Sequence, residues 1–155
     1  MCPSRVNSQC KSTIIASAVV QFGSTADVVI NFPGYWLGGW YQGHVQIYRA
    51  TGLAAAPLDT VTSNTGTYTN VHTLSDIETV PNGVIVATMT ANNQSSMSVT
   101  YSGRDSVAED INVVQYARYT AMSVRTTEAA STNDLTFTFT GNGEGVAAAV
   151  SFAPA

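Results

Sequence analysis

Charge is scarce in this sequence. Asp, Glu, Lys and Arg together make up 10% of its 155 residues, where a typical globular domain carries about 25%. Lysine is reduced to a single residue, Lys11. Exposed lysine is a common guard against edge-to-edge strand association, so its scarcity fits edges or faces covered in an assembly, or a biased composition. Six basic residues against ten acidic ones leave a formal net charge of -4. That balance lacks the basic footprint that phosphate-backbone binding requires, so no nucleic-acid partner is expected. Long apolar runs are missing too. The first apolar stretch, Thr13 to Phe22, is interrupted by Ser17 and Gln21, and no run approaches the ~20 residues of a membrane-spanning helix. The polar opening Met1 to Lys11 does not follow the charged, apolar, small-residue order of a secretory signal. Cysteine occurs twice, at Cys2 and Cys10, either as a small disulfide loop or as free thiols. Two cysteines without neighbouring histidines do not make a zinc site.

What remains is a chain rich in Thr, Ser, Asn and Gly with 45% hydrophobic residues. A chain of this length buries ~70% of its unfolded surface in one core. The apolar period is two. Leu135, Phe137 and Phe139 alternate with Thr136, Thr138 and Thr140, placing aromatics on one face and hydroxyls on the other. Met97, Val99 and Tyr101 alternate with Ser98 and Thr100, and Thr120, Met122 and Val124 with Ala121, Ser123 and Arg125. Val84 to Ala87 and Val146 to Phe152 are apolar on both faces and read as central strands. Turn signals punctuate these runs at Phe32-Pro33-Gly34, Gly38-Gly39, Pro81-Asn82-Gly83, Asn92-Asn93, Ser102-Gly103 and Gly141-Asn142-Gly143. The pattern predicts an all-β fold, an antiparallel β-sandwich or jelly roll. Strands are expected near 12–22, 26–32, 43–50, 66–74, 83–91, 95–102, 111–127, 134–140 and 146–153. Residues 1–11 form a polar arm, and 12–155 a single domain without internal repeat.

No catalytic constellation emerges. A serine hydrolase needs its nucleophile beside a histidine oriented by a carboxylate, and neither His44 nor His72 lies near a Gly-x-Ser-x-Gly elbow. The acid pairs Asp76/Glu78 and Glu109/Asp110 read as solvated loop charges rather than a glycosidase pair or a calcium loop. Gly141-Asn142-Gly143-Glu144-Gly145 lacks the Lys-Ser/Thr and the helix of a phosphate cradle, so it reads as a hairpin turn. Neither enzyme activity nor a metal or cofactor is expected.

The most distinctive stretch is Tyr35-Trp36-Leu37-Gly38-Gly39-Trp40-Tyr41-Gln42-Gly43-His44, which holds both tryptophans. Tyr35, Trp36, Trp40, Tyr41 and His44 are candidates for a ligand or interface site: a sugar-stacking platform, a protein interface, or the anchor of a hairpin at one end of the core. In the arm, Arg5, Val6, Asn7, Gln9 and Lys11 are candidates for docking, because a flexible segment can order against a partner.

The carboxy-terminal half carries a recurrent texture. Thr79-Val80-Pro81-Asn82-Gly83 leads into Val84-Ile85-Val86-Ala87; a later strand ends in Arg125-Thr126-Thr127; Leu-Thr-Phe-Thr-Phe-Thr at 135–140 precedes the final Val-Ala-Ala-Ala-Val-Ser-Phe-Ala-Pro-Ala at 146–155. This resembles β-sandwich domains of tailed bacteriophages and gene transfer agents, including head-spike and fibre proteins. The resemblance implies a non-enzymatic place in a virion, as capsid decoration, spike base or attachment module. The expected partners of such a protein are capsid or other virion proteins and further copies of the chain; a host-surface polysaccharide is the partner expected on the alternative reading, a carbohydrate-binding or adhesion module using the 35–44 stretch. The 35–44 stretch is not part of that resemblance.

Overall fold

A computed structural model of the chain describes residues 13–19, 29, 44–115 and 117–155. These form an all-β, antiparallel structure of six strands, with no helix among the described residues. The strands are β1 (Asp59–Thr79), β2 (Gly83–Ala91), β3 (Met97–Tyr101), β4 (Val107–Val114), β5 (Arg118–Thr126) and β6 (Ser131–Phe152). All six belong to one hydrogen-bonded sheet in the order β1-β6-β2-β5-β4, with β3 also on β6.

β6 is the spine. Its first half pairs with β3, from Leu135 opposite Tyr101 to Phe139 opposite Met97. Its second half pairs with β2, from Gly145 opposite Ala91 to Phe152 opposite Val84. β1 accompanies β6 along its other side, from Asp59 opposite Ser151 to Thr79 opposite Ser131. A straight 22-residue strand would extend about 70 Å, whereas a chain of this size packs to a radius of gyration of about 15 Å. The ribbon therefore has to bend. Between the pairs Val71↔Thr138 and Thr69↔Gly143, β1 advances two residues while β6 advances five. The surplus is a bulge of β6 containing Thr140, Gly141 and Asn142. Residues 92–96, between β2 and β3, lie beside it. Asn92 N–H donates to the Glu144 carbonyl at 2.8 Å, Thr140 N–H to the Ser96 carbonyl at 3.0 Å, and the Asn93 side-chain amide to the Gly141 carbonyl.

Three residues from the first half of β6, Leu135, Phe137 and Phe139, share one buried cluster with Ala147 and Ala149 from its second half. Leu74 and Ile77 of β1, Ile85, Ala87, Met89 and Ala91 of β2, and Met122 and Val124 of β5 complete it. The three-stranded and five-stranded parts of one sheet thus enclose a single core, built by the Leu-Phe-Phe alternation.

The sequence expectations divide clearly. The expected strand 83–91 is β2, and 95–102 contains β3. Pro81-Asn82-Gly83 forms a type II turn: Gly83 N–H donates to the Val80 carbonyl at 3.1 Å and Asn82 has φ 60°. The strand expected at 66–74 runs longer, over 59–79. The strand expected at 111–127 is two antiparallel strands, β4 ending at Val114 and β5 starting at Arg118. Gly141-Asn142-Gly143 is not a hairpin turn; it lies within β6, and the strands expected at 134–140 and 146–153 are one. Of the strands expected at 12–22, 26–32 and 43–50, the described residues 13–19, 29 and 44–50 carry none, and the others lie outside the described residues. The alternation of 13–19 and 44–50 is used instead to lay side chains on the sheet.

Candidate functional site

The site is built on the outer face of the five-stranded part. Period-two alternation sends the side chains between the core positions to this face. The cross-strand rows are Val150–Val86–Ser123, Ala148–Thr88–Ala121–Ile111 and Val146–Thr90–Tyr119–Val113. Most of this face is aliphatic or hydroxyl-bearing, with Arg125 exposed on it in the adjoining row Phe152–Val84–Arg125. Ala121, Ala148 and Val150 are buried on it, although they point away from the core.

Two irregular segments lie against it. Residues Thr13, Ile14, Ile15 and Ser17 line a groove of about 280 Å³ with Thr60, Thr62, Ala148 and Val150. The Thr13 hydroxyl donates to that of Thr88 at 3.3 Å. At the other end, the His44 ring is tilted 40° against Tyr119 with centroids 4.7 Å apart. The Tyr48 hydroxyl donates to the Asp110 carboxylate at 2.6 Å, at the β4 bulge where Asp110 has no cross-strand partner on β5. Partial burial, followed by that bond and the carboxylate charge, pushes the Tyr48 phenol well above its ordinary value. Tyr48 therefore stays a protonated donor.

The outward sides of these segments are aliphatic. Ile14 is 82% exposed, Ile47 66% and Val45 53%; Val19 and Val29 are exposed as well. Single exposed aliphatics are ordinary, but these gather in the segments before residue 50.

The rest of the surface is hydroxyl-bearing. On the three-stranded part, Thr73, Thr136 and Thr100 form one outward row and Val71, Thr138 and Ser98 the next, with the Thr73 and Thr136 hydroxyls 3.1 Å apart. At the end of the core, the buried Arg118 guanidinium donates to the Ser95 carbonyl at 2.5 Å and to Asn112 Oδ1. Arg118 ties the 92–96 crossing to β4.

Of the ligand or interface candidates, His44 is described and sits at the edge of this face; Tyr35, Trp36, Trp40 and Tyr41 lie outside the described residues. So do the docking candidates Arg5, Val6, Asn7, Gln9 and Lys11. Of the two histidines, His44 is exposed, whereas His72 is buried beneath the β6 bulge. Among the described residues no group of three His, Cys, Asp or Glu side chains converges as a metal site, and no helix is long and apolar enough to cross a membrane. Sequence reasoning passed over Tyr48, Tyr119 and Ile14, and read Asp110 as a solvated loop charge, whereas it lies within β4 and accepts from Tyr48. Tyr119 was recoverable from the β5 alternation, which turns it outward; the Tyr48–Asp110 pair, 62 residues apart, has no local signal. Comparison with protein-family models, curated proteins and solved structures gave no match for the chain.

Proposed function

We propose that this chain is a structural virion protein: a capsid-attached head-spike, fibre or decoration component that docks on the particle as a homo-oligomer and aids host-surface attachment. The observation that carries the reading is the pair of segments over the outer face, which present Ile14, Val45 and Ile47 to solvent. A partner surface that removes these side chains from water gains roughly 1.5–3 kcal/mol for each one fully covered. The low charge of the chain and its phage-like strand texture point the same way. Two changes test it: deletion of residues 1–11, and the double substitution Ile14→Asp with Ile47→Asp. Loss of the protein from particles, with the isolated protein still folded, supports docking. Normal occupancy by both variants overturns it.

A carbohydrate-binding or adhesion module is the second reading, favoured by the His44–Tyr119 ring pair at the foot of the aromatic stretch. It predicts that Tyr119→Ala weakens binding to a host-surface polysaccharide. Titrations against such polysaccharides without any binding by the parent protein reject it.

A further inference from the structure

His72 occupies an unusual place. It is 2% exposed, on β1, beside the bulge where β1 and β6 change register. Its ring meets Phe139 edge to face at 5.8 Å. A Cβ at Gly145 would lie 3.1 Å from His72 Cε1 and 2.6 Å from Met89 Cε, so β6 presses backbone directly onto the imidazole and its neighbour. Bulge, glycine tract and ring form one packed unit at the bend of the spine.

We infer that His72 is an acid-sensitive latch: neutral, it holds the bend of β1 against β6, and protonation releases that bend while the five-stranded part stays folded. Among the described residues no carboxylate is buried. β2 carries no ionisable residue, and neither does the crossing 92–96. The charged group facing the core from β5 is Arg118, on the inner row Gly145–Ala91–Arg118, and it has the same sign as an imidazolium. Glu109 of β4 is exposed and reaches this network through Asn112, at 3.1 Å. On β1 and β6, Asp76, Glu78 and Glu144 are exposed, Asp134 takes the outward alternation, and Asp59 lies at the far end of β1. Tyr101 of β3 is pushed up by burial and stays neutral. Burial accordingly lowers the His72 imidazole below its ordinary 6.5; hydrogen bonds from the ring to the backbone of Gly143 and Thr69 oppose the shift and are the smaller effect.

Below its unfolded value of about 6.5, the open state binds a proton that the latched state resists. Closure therefore weakens as pH falls, by up to about tenfold per pH unit until the folded value is passed. Opening at the bend is the short path to water, because β1 is held there through an irregular register while β2 and β5 pair without a break.

Amide hydrogen exchange on the full chain between pH 7.5 and 5, corrected for intrinsic rates, tests this alongside an NMR titration of His72. The expected result is a His72 midpoint below 6.5, with protection at residues 71–74 falling in parallel and protection in β2 and β5 retained. In His72→Gln, or in His72→Phe should the first not fold, protection at 71–74 is expected to be flat across this range. A midpoint at or above 6.5, unchanged protection in the parent protein, or an equal acid loss in the substituted protein overturns the latch.

Discussion

Alanine placed in turn at Gly141, Gly143 and Gly145 should give unequal stabilities if these residues form a bulged strand, and uniform losses if they form a tight turn. None of the three has positive φ; Gly52 is the described glycine that does. What distinguishes them is space. A Cβ at Gly141 meets Ser95 Oγ at 3.6 Å, an ordinary contact. At Gly143 it meets Asn93 Cβ at 2.8 Å and the Asn92 carbonyl at 3.2 Å. Asn93 has little freedom to retreat, because its side chain accepts from Ser95 N–H at 2.8 Å and donates to the Gly141 carbonyl. At Gly145 the first obstruction is the flexible tip of Met89, but the His72 ring stands behind it. Overpacking of this kind costs about 1–3 kcal/mol, whereas an unstrained Gly→Ala change stabilises by about 0.4–1 kcal/mol through the unfolded chain. Gly141→Ala should therefore be neutral or slightly stabilising. Gly143→Ala should lose about 1–3 kcal/mol and Gly145→Ala a similar or smaller amount, with Tm falling by about 2–4 °C per kcal/mol. Urea titration and thermal melts of the three variants measure this. A Gly141→Ala loss equal to that of Gly143→Ala would refute the bulged-strand account.

Phe137→Ala, at a fully buried position in the middle of the core, should cost about 3–5 kcal/mol in urea titration. Asn82→Ala, which puts a Cβ-bearing residue without a local hydrogen-bonding side chain at φ 60°, should cost about 1–2 kcal/mol, and Asn82→Gly should cost nothing measurable. Asp105 accepts from the Thr127 hydroxyl at 2.6 Å and from its N–H at 2.8 Å, and these bonds hold its carboxyl below the ordinary value. Its contribution is present above the unfolded pKa and is lost as pH falls through the folded one. An NMR titration should show the Asp105 midpoint rising in Thr127→Val.

Much of the fold was legible because local chemistry and tertiary packing agree. Leu135, Phe137 and Phe139 alternate as a half-buried strand must, and Pro81-Asn82 supplies the φ pair that a type II turn needs. The failures share a physical cause. Gly141 to Gly145 has the composition of a turn, but here glycine admits Asn93, Met89 and His72 against the backbone, and sequence does not distinguish close approach from reversal. Residues 44–50 have strand alternation, yet strand formation depends on a partner, and alternation spent on laying His44 and Tyr48 against β4 and β5 looks identical. The exposure of Ile14 and Ile47 was illegible for the same reason: both fall in stretches that alternate like strands, and only their place over the assembled sheet shows that they face solvent.

The proposal of a virion role meets its most direct test in purified particles. Quantitative mass spectrometry of particles from the source of this sequence should find the chain at a fixed copy number per capsid, in a multiple set by its oligomer. Particles without the chain, alongside free protein, would contradict the proposal.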